Sequence, residues 1–522
     1  MRSLRLFLLA LVTVALASPA PAQSISNDRQ SGGRDAVYYG GRGGDRGGGR
    51  GIMHGGRGAF GILPGLLIPA IADGLRHGQN QRADRPPPPR PKKVARGRPS
   101  PERAIVMEPE VERHRRRRIA EPQPAPERAP MRRLATVNTA VLLPLAGEKR
   151  FLPKEVLVVF RDGTSEGQIA SIARRLRLEQ TQIRDLTLIG MRAHRFRFAD
   201  KRSVKDVLME LSRRPQVMLA EPHYIFTLSD DAAKLEPSKA EALPVEKSAD
   251  TSPPSYAAAL LRLRGAHKIA TGRGVRVAVI DSLIDRAHPE IEGSIAENFD
   301  ALGDASAPPH KHGTGMASAI VGHRQIEGAA PAAQILAVRA FSETDGATRA
   351  VGLDILAGFD WAVRQKAQVI NMSFAGPIDP LLGKMLAAAA SRRIVMIAAA
   401  GNEGPRAAPL YPAADAHVVA VSAVDERTQI YVNDNRGPYI ALAAPGVDVL
   451  VAAPRAAYDL TTGTSVACAE VSGIAALVLE EKPNLDGPAL RRLLQDTAHA
   501  FDGVTGAGAG IADAQAAVER VR

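Results

Sequence analysis

From residue 254 to the end, the chain repeats one hydropathy pattern: an apolar run of six to eight residues, a turn, then a longer stretch with helical spacing. The runs are VRVAVI before Asp281, QILAVRA (334–340), QVINMS (368–373), RIVMIAAA (393–400) and HVVAVSAV (417–424). They are apolar throughout rather than alternating, the pattern of strands in a parallel sheet covered by helices on both faces. Residues 254–522 are therefore predicted to form an α/β domain of three layers with a mainly parallel central sheet. In such folds ligands sit where strands end and helices begin.

A smaller unit precedes it. EVLVVF (155–160) reads as a strand. Ile169, Ile172 and Leu176 recur at helical spacing, RFRF (195–198) alternates, Val204, Val207, Leu208 and Leu211 mark a second helix, and VMLAEPHYIF (217–226) closes the unit. The order predicts a compact α+β domain of split β-α-β type over 150–228. Residues 229–253, rich in Asp, Lys, Glu, Ser and Pro, read as an exposed linker.

Upstream the pattern disappears. Residues 23–149 include a Gly/Arg-rich tract, a Pro/Arg-rich tract and the run RHRRRR at 113–118, compositions that cannot bury enough apolar surface to offset the entropy of ordering. Disorder is expected there, and FGILPGLLIPAIA (60–72), broken by Pro64 and Pro69, is too short to span a membrane. Residues 1–22 have the layout of a secretory signal: two arginines, the apolar run LFLLALVTVALA, then small residues around Ala20-Pro21-Ala22. Export to a periplasm or the outside is expected, with no transmembrane segment left once the signal is removed.

Charge and cysteine refine this picture. A formal net charge of +13 would suggest a nucleic-acid partner, but from residue 254 onward 24 Lys+Arg face 28 Asp+Glu. The basic excess belongs to the N-terminal half, so no nucleic-acid partner is expected for the α/β domain. Cys468 is the only cysteine, so no intrachain disulfide can form.

Three polar residues fall at strand-to-helix junctions. Asp281 ends VRVAVI, His312 lies in KHGTGMASAIVG, and Ser465 opens SVACAEVSGIAALVLE. Each alone has a structural explanation, since Asp and Ser favour helix caps. Together they are the parts of a nucleophilic site: a serine hydroxyl needs an imidazole to take its proton, and a carboxylate to orient that imidazole. Asn402 in AAAGNEGP and the backbone N–H of Ser465 offer donors for a developing oxyanion.

VAVIDSLIDRAHPEI, HGTGMASAIVG, VINMSFAGP, VMIAAAGNEGP, APGVDVL and TGTSVACAEVSG, in that order, resemble the ordered blocks of the subtilisin-like serine proteases, the subtilases. The resemblance implies a secreted serine endopeptidase. In it Asp281 orients, His312 acts as base and then acid, Ser465 attacks while also capping its helix, and Asn402 binds the oxyanion. It further implies that Ser373, Phe374 and Ala375 pair with an extended polypeptide substrate and face Ala399, Ala400 and Gly401 across the primary pocket. Because Ala375 stands where many members have glycine, an apolar or medium-sized side chain is expected there. The unit at 150–228 is similar to subtilase propeptides, which implies a self-processed zymogen and an intramolecular inhibitor whose tail lies in the cleft.

Departures from the family blocks define the alternative, a catalytically impaired subtilase-fold protein serving in binding or anchoring. Leu283 stands where a glycine is usual, which would strain the turn if that position needs positive φ. Gly315, Ser318, Ala469 and Glu470 also differ from the family pattern. Two other enzyme classes are excluded by motif order. An α/β-hydrolase would place its acid and histidine after the serine, and no G-x-G-x-x-G joins the first strand to a helix. No cofactor is required by this chemistry. Structural calcium is compatible with the family, but no EF-hand or H-E-x-x-H spacing assigns a metal ligand.

Overall fold

The computed structural model describes residues 140–228, 255–304, 306–344, 346–501 and 505–522. The expected signal sequence, the linker and nearly all of the low-complexity region lie outside these residues. Among the described residues no helix is long and apolar enough to cross a membrane.

The first unit contains β1 (Ala140–Val141), β2 (Phe151–Phe160), α1 (Glu166–Leu176), β3 (Glu179–Leu186), β4 (Met191–Arg197), α2 (Val204–Ser212) and β5 (Val217–Leu228). From β2 onward the order is β-α-β-β-α-β, in a sheet ordered β3-β4-β2-β5. β1 pairs with β5 upstream of the expected start of the domain, too short a segment for hydropathy to reveal. Both helices start with a capping box, Ser165 with Gln168 and Ser203 with Asp206. Their buried faces are the residues that the spacing picked out.

The second unit runs α3 (Tyr256–Leu260), α4 (Leu263–Ala266), β6 (Arg276–Asp281), β7 (Ile295–Asp300), α5 (Lys311–Val321) and β8 (Gln334–Arg339). Then come β9 (Ser342–Thr344), β10 (Ala347–Val351), α6 (Gly352–Arg364), β11 (Val369–Met372), β12 (Phe374–Ala375) and α7 (Pro380–Ser391). The chain continues with β13 (Val395–Ala399), β14 (Val419–Val424), β15 (Ile440–Pro445), β16 (Val449–Ala453), β17 (Ala457–Thr461), α8 (Thr464–Glu481), α9 (Gly487–Thr497) and α10 (Ala514–Val521). Seven parallel strands form the central sheet in the order β15-β14-β13-β11-β6-β8-β7.

The apolar runs divide between two cores by strand periodicity. Val277, Val279, Val395, Ile397 and Ala399 pack with α5 and α8 on one face, while Ala278, Ile280, Met396 and Ala398 pack with α6 and α7 on the other. The second core does not stop at the domain boundary. Leu157, Val159, Leu219, Tyr224, Phe226 and Leu228 of the first unit belong to it. Their alternate neighbours Val156, Val158 and Ala220 pack on α1 and α2 instead. The small sheet is thus buried on both faces, which explains why EVLVVF is continuously apolar.

The two units share backbone pairing as well. The end of β5 lies between two strands of the α/β unit: Ile225, Phe226 and Thr227 pair antiparallel with Val351, Ala350 and Arg349 of β10, and Thr227 and Leu228 pair antiparallel with Ala375 and Phe374 of β12.

Candidate active site

Asp281 is the last residue of β6 and fully buried, and His312 is the second residue of α5. The strand end and helix start meet so that His312 Nδ1 lies 2.8 Å from Asp281 Oδ1 and 2.9 Å from Oδ2. Ser282 fixes the approach. Its backbone N–H donates to Asp281 Oδ1 at 2.6 Å, and its hydroxyl accepts from the Gly313 N–H at 3.0 Å. A Cβ at Gly313 would run into the Ser282 carbonyl, so only glycine lets the histidine helix come this close.

Ser465 is the second residue of α8, and the cap is Gly463, which makes no side-chain cap bond. The expected dual role of Ser465 as cap is therefore not what the hydroxyl does: Ser465 Oγ donates to the Ser373 carbonyl at 3.2 Å. Ser373 Oγ returns a bond to the Ser465 carbonyl at 2.9 Å. A cap needs its hydroxyl turned back on the N–H groups of its own helix, whereas here both hydroxyls of the first turn bond to neighbouring segments. The Thr464 hydroxyl accepts from Gly401 N at 3.0 Å and donates to Asn402 Oδ1 at 3.0 Å. Asn402 Oδ1 also accepts from Thr464 N at 3.0 Å. With its oxygen held by two donors, the amide presents its Nδ2 end as the donating one.

Sequence reasoning missed the residues that hold this frame. Asn371 Nδ2 donates to Ser373 Oγ at 3.0 Å, while its Oδ1 accepts from Ser472 Oγ at 2.9 Å and Cys468 Sγ at 3.2 Å. Polar residues inside QVINMS and SVACAEVSG were the available signal. Burial pushes the Cys468 thiol up to about 12, so it is inert as a nucleophile. Ser373, Phe374, Ala375, Ala399, Ala400 and Gly401, the residues expected to wall the cleft, are all buried. Leu283 is not among the described residues with positive φ, and its carbonyl accepts from His310 N at 2.7 Å. The strain argument for an impaired protein therefore has no basis in the backbone.

Among the described residues no group of three His, Cys, Asp or Glu side chains could hold a metal ion. Glu290, a fully buried carboxylate, is saturated by the backbone N–H groups of His323, Arg324 and Gln325 and by the Tyr458 hydroxyl, at 2.6 to 3.0 Å.

The sequence pattern of the subtilase family matches residues 272–515, and that of the fervidolysin N-terminal prodomain matches residues 138–223. Subtilisin E of Bacillus subtilis is 33% identical over 261 residues, covering 48% of this chain and 67% of the relative. Subtilisin of Bacillus pumilus is also 33% identical, with 92% of the relative covered. The chain belongs to the subtilase family. The major intracellular serine protease of Bacillus subtilis is 35% identical over 40% of this subtilase and 69% of the relative. The crystal structure of fervidolysin from Fervidobacterium pennivorans, described as a keratinolytic enzyme related to subtilisin, shares the fold with a TM-score of 0.60 at 21% identity. That similarity covers 73% of this subtilase, which spans 63% of the fervidolysin chain.

One family departure carries a measurable consequence. Glu470 is buried in α8, and among the described residues its Oε2 has no hydrogen-bond partner. Burial, and then the charge of Glu327, push it up to about 8. A carboxyl whose folded pKa lies above its unfolded value binds more protons when folded. Its contribution is therefore full below about pH 4.5 and is lost as pH rises through 8. Glu470→Gln is expected to raise the denaturation midpoint at pH 9 and to remove a loss of up to about 1.4 kcal/mol per pH unit across that window. Chemical denaturation at pH 5, 7 and 9 measures it.

Proposed function

We propose that this subtilase hydrolyses peptide bonds through an acyl-enzyme, with Ser465 as nucleophile, and is made as an exported zymogen that processes itself. His312 takes the Ser465 proton as the oxygen bonds to the scissile carbonyl carbon, and Asp281 holds the imidazole and stabilises its charged form. The oxyanion is met by the Asn402 amide and by the N–H of Ser465, one of the first four helical donors that lack an intrahelical acceptor. His312 then gives the proton to the departing amine. Water repeats the sequence to release the acid.

The observation that carries this reading is the 2.8 Å His312–Asp281 contact at the start of α5, against which α8, the helix that Ser465 opens, is packed. The zymogen reading is supported by the pairing of Thr227 and Leu228 with Ala375 and Phe374, the backbone pairing an extended substrate would use. The α+β unit thus acts as an inhibitor in cis, and the basic N-terminal segment leaves with it. Incubating the full chain with a fluorophosphonate probe is expected to place one adduct on the peptide containing Ser465, with parallel hydrolysis of unfolded casein. An unlabelled, inactive chain would overturn the reading in favour of a binding protein.

A further inference from the structure

We propose that Leu410 and Asn435 close the floor between the two walls of the cleft, so that this subtilase accepts only a small side chain on the residue whose carbonyl is attacked. The inference deepens the proposed peptidase reading and rests on it. One wall, Ser373–Ala375, continues into Gly376, which exchanges two backbone hydrogen bonds with Tyr411 at 2.8 and 3.0 Å. The other wall ends at Gly401, whose carbonyl accepts from Asn435 N at 3.0 Å. The segment carrying Leu410 is therefore tied to the first wall, and the one carrying Asn435 to the second.

Both side chains face Gly401. A Cβ built there would lie 2.6 Å from Leu410 Cδ1 and 3.2 Å from Asn435 Oδ1, and Gly401 has φ +109. Leu410 is 2% exposed. Asn435 cannot swing aside, because its Oδ1 accepts from Glu403 N at 2.9 Å and its Nδ2 donates to the Ala408 carbonyl at 3.3 Å. The space beside the second wall is filled to van der Waals contact, and close-packed interiors admit extra methylenes only by distortion. This is a tighter limit than the Ala375 methyl alone sets.

The register of the bound β5 tail points the same way. Thr227 lies opposite Ala375 and Leu228 opposite Phe374. A substrate continuing this antiparallel register by one residue would set that residue against Ser373, whose carbonyl is the group that Ser465 Oγ touches, and the bond after it would be the one offered to Ser465. In this chain's own sequence the residue that follows Leu228 is a serine, a small one. Large side chains are accommodated elsewhere in the tail. Phe226 is fully buried, 5.8 Å edge-on from Phe374 and over Gly376, where a Cβ would strike its ring.

The test uses the self-processed full chain and chromogenic peptides Phe-Thr-Leu-X, cut after X, with X as Ser, Ala, Leu or Phe. Wild type is expected to favour Ser and Ala over Leu and Phe by roughly 10- to 200-fold, the range a few methylenes command in an apolar pocket. Leu410→Ala is expected to raise kcat/KM for Leu and Phe about tenfold or more while leaving Ala within a few-fold. Leu410→Val, a smaller truncation, gives a lesser gain and serves if the alanine variant does not fold. Equal wild-type rates on Ala and Phe, or no gain in either folded variant, would overturn the floor and leave the peptidase reading standing. Failure to cut any peptide, with no fluorophosphonate adduct on Ser465, would instead remove the peptidase reading itself.

Discussion

Ser465→Ala is expected to leave the chain at full length during incubations in which the unchanged protein divides between its two folded units. Hydrolysis of peptides should fall by about 10⁶-fold, the loss measured in subtilisin itself when the nucleophile is removed. The residual activity over water would come from oxyanion donors and substrate pairing, which the substitution leaves in place. Ser465 is fully buried in a first turn whose other hydrogen bonds run through Thr464, Asn402 and Ser373. Replacing one hydroxyl therefore removes the attacking atom and a single 3.2 Å bond to the Ser373 carbonyl, not the scaffold. Intact mass over several hours reads the result, with a new N-terminus at Asp230 expected for the unchanged chain. Processing of purified Ser465→Ala at the unaltered rate would move the chemistry to another residue.

The second large effect is on the pH at which the processed α+β unit lets go. Three buried titratable groups lie where β5 meets the starts of α6 and α7. Glu221 of β5 lies close enough to Asp379, the cap of α7, to feel its charge, and its Oε2 accepts from Leu381 N at 3.3 Å. Burial, and then the Asp379 charge, hold Glu221 well above the usual carboxylate range, and burial pushes Asp379 up to about 6. His223 accepts from Leu353 N at 3.3 Å at the start of α6 and lies 2.9 Å from Glu155. Burial lowers its pKa, although Glu155 opposes that.

Docked carboxyls with raised pKa values bind protons on docking. Their contribution is full below the ordinary carboxylate range and is lost as pH rises through 6 and beyond. The histidine works in the opposite sense: its contribution is present above about 6.5 and is lost as pH falls through its lowered docked value. Release should thus quicken at both extremes, by up to about tenfold per pH unit for each proton linked. After self-processing, the lag before peptide hydrolysis should shorten from pH 7 to pH 9. Glu221→Gln, which needs no proton to sit beside Asp379, should abolish most of that shortening. An identical lag at pH 7 and 9 in the unchanged protein would show that the carboxyl pair does not control release.

Much of this candidate site was legible in the chain because parallel strands covered on both faces leave an unmistakable apolar signature, and the proposed reacting groups sit at their ends. Asp281, His312, Asn402 and Ser465 all fall at such junctions. The expected walls of the cleft came from the same blocks. The residues between the walls did not, because Leu410 and Asn435 reach Gly401 from loops, and nothing local distinguishes them from ordinary packing. β7 escaped detection because IAENFD is only half-buried at the edge of the sheet. Asn371 escaped because one polar residue in a buried strand acquires meaning only when α8 is laid against it.

The two-faced sheet of the α+β unit also decides its fate after separation. Once away from α6 and α7, that unit would turn Leu157, Val159, Leu219, Tyr224 and Phe226 toward water. A domain of this size keeps little stability in reserve when a whole apolar face is uncovered. If the unit is cut free as proposed, departure and loss of structure would become a single event: the freed chain would be ordinary unfolded polypeptide, open to digestion by the cleft it had just vacated, and activation would run in one direction only.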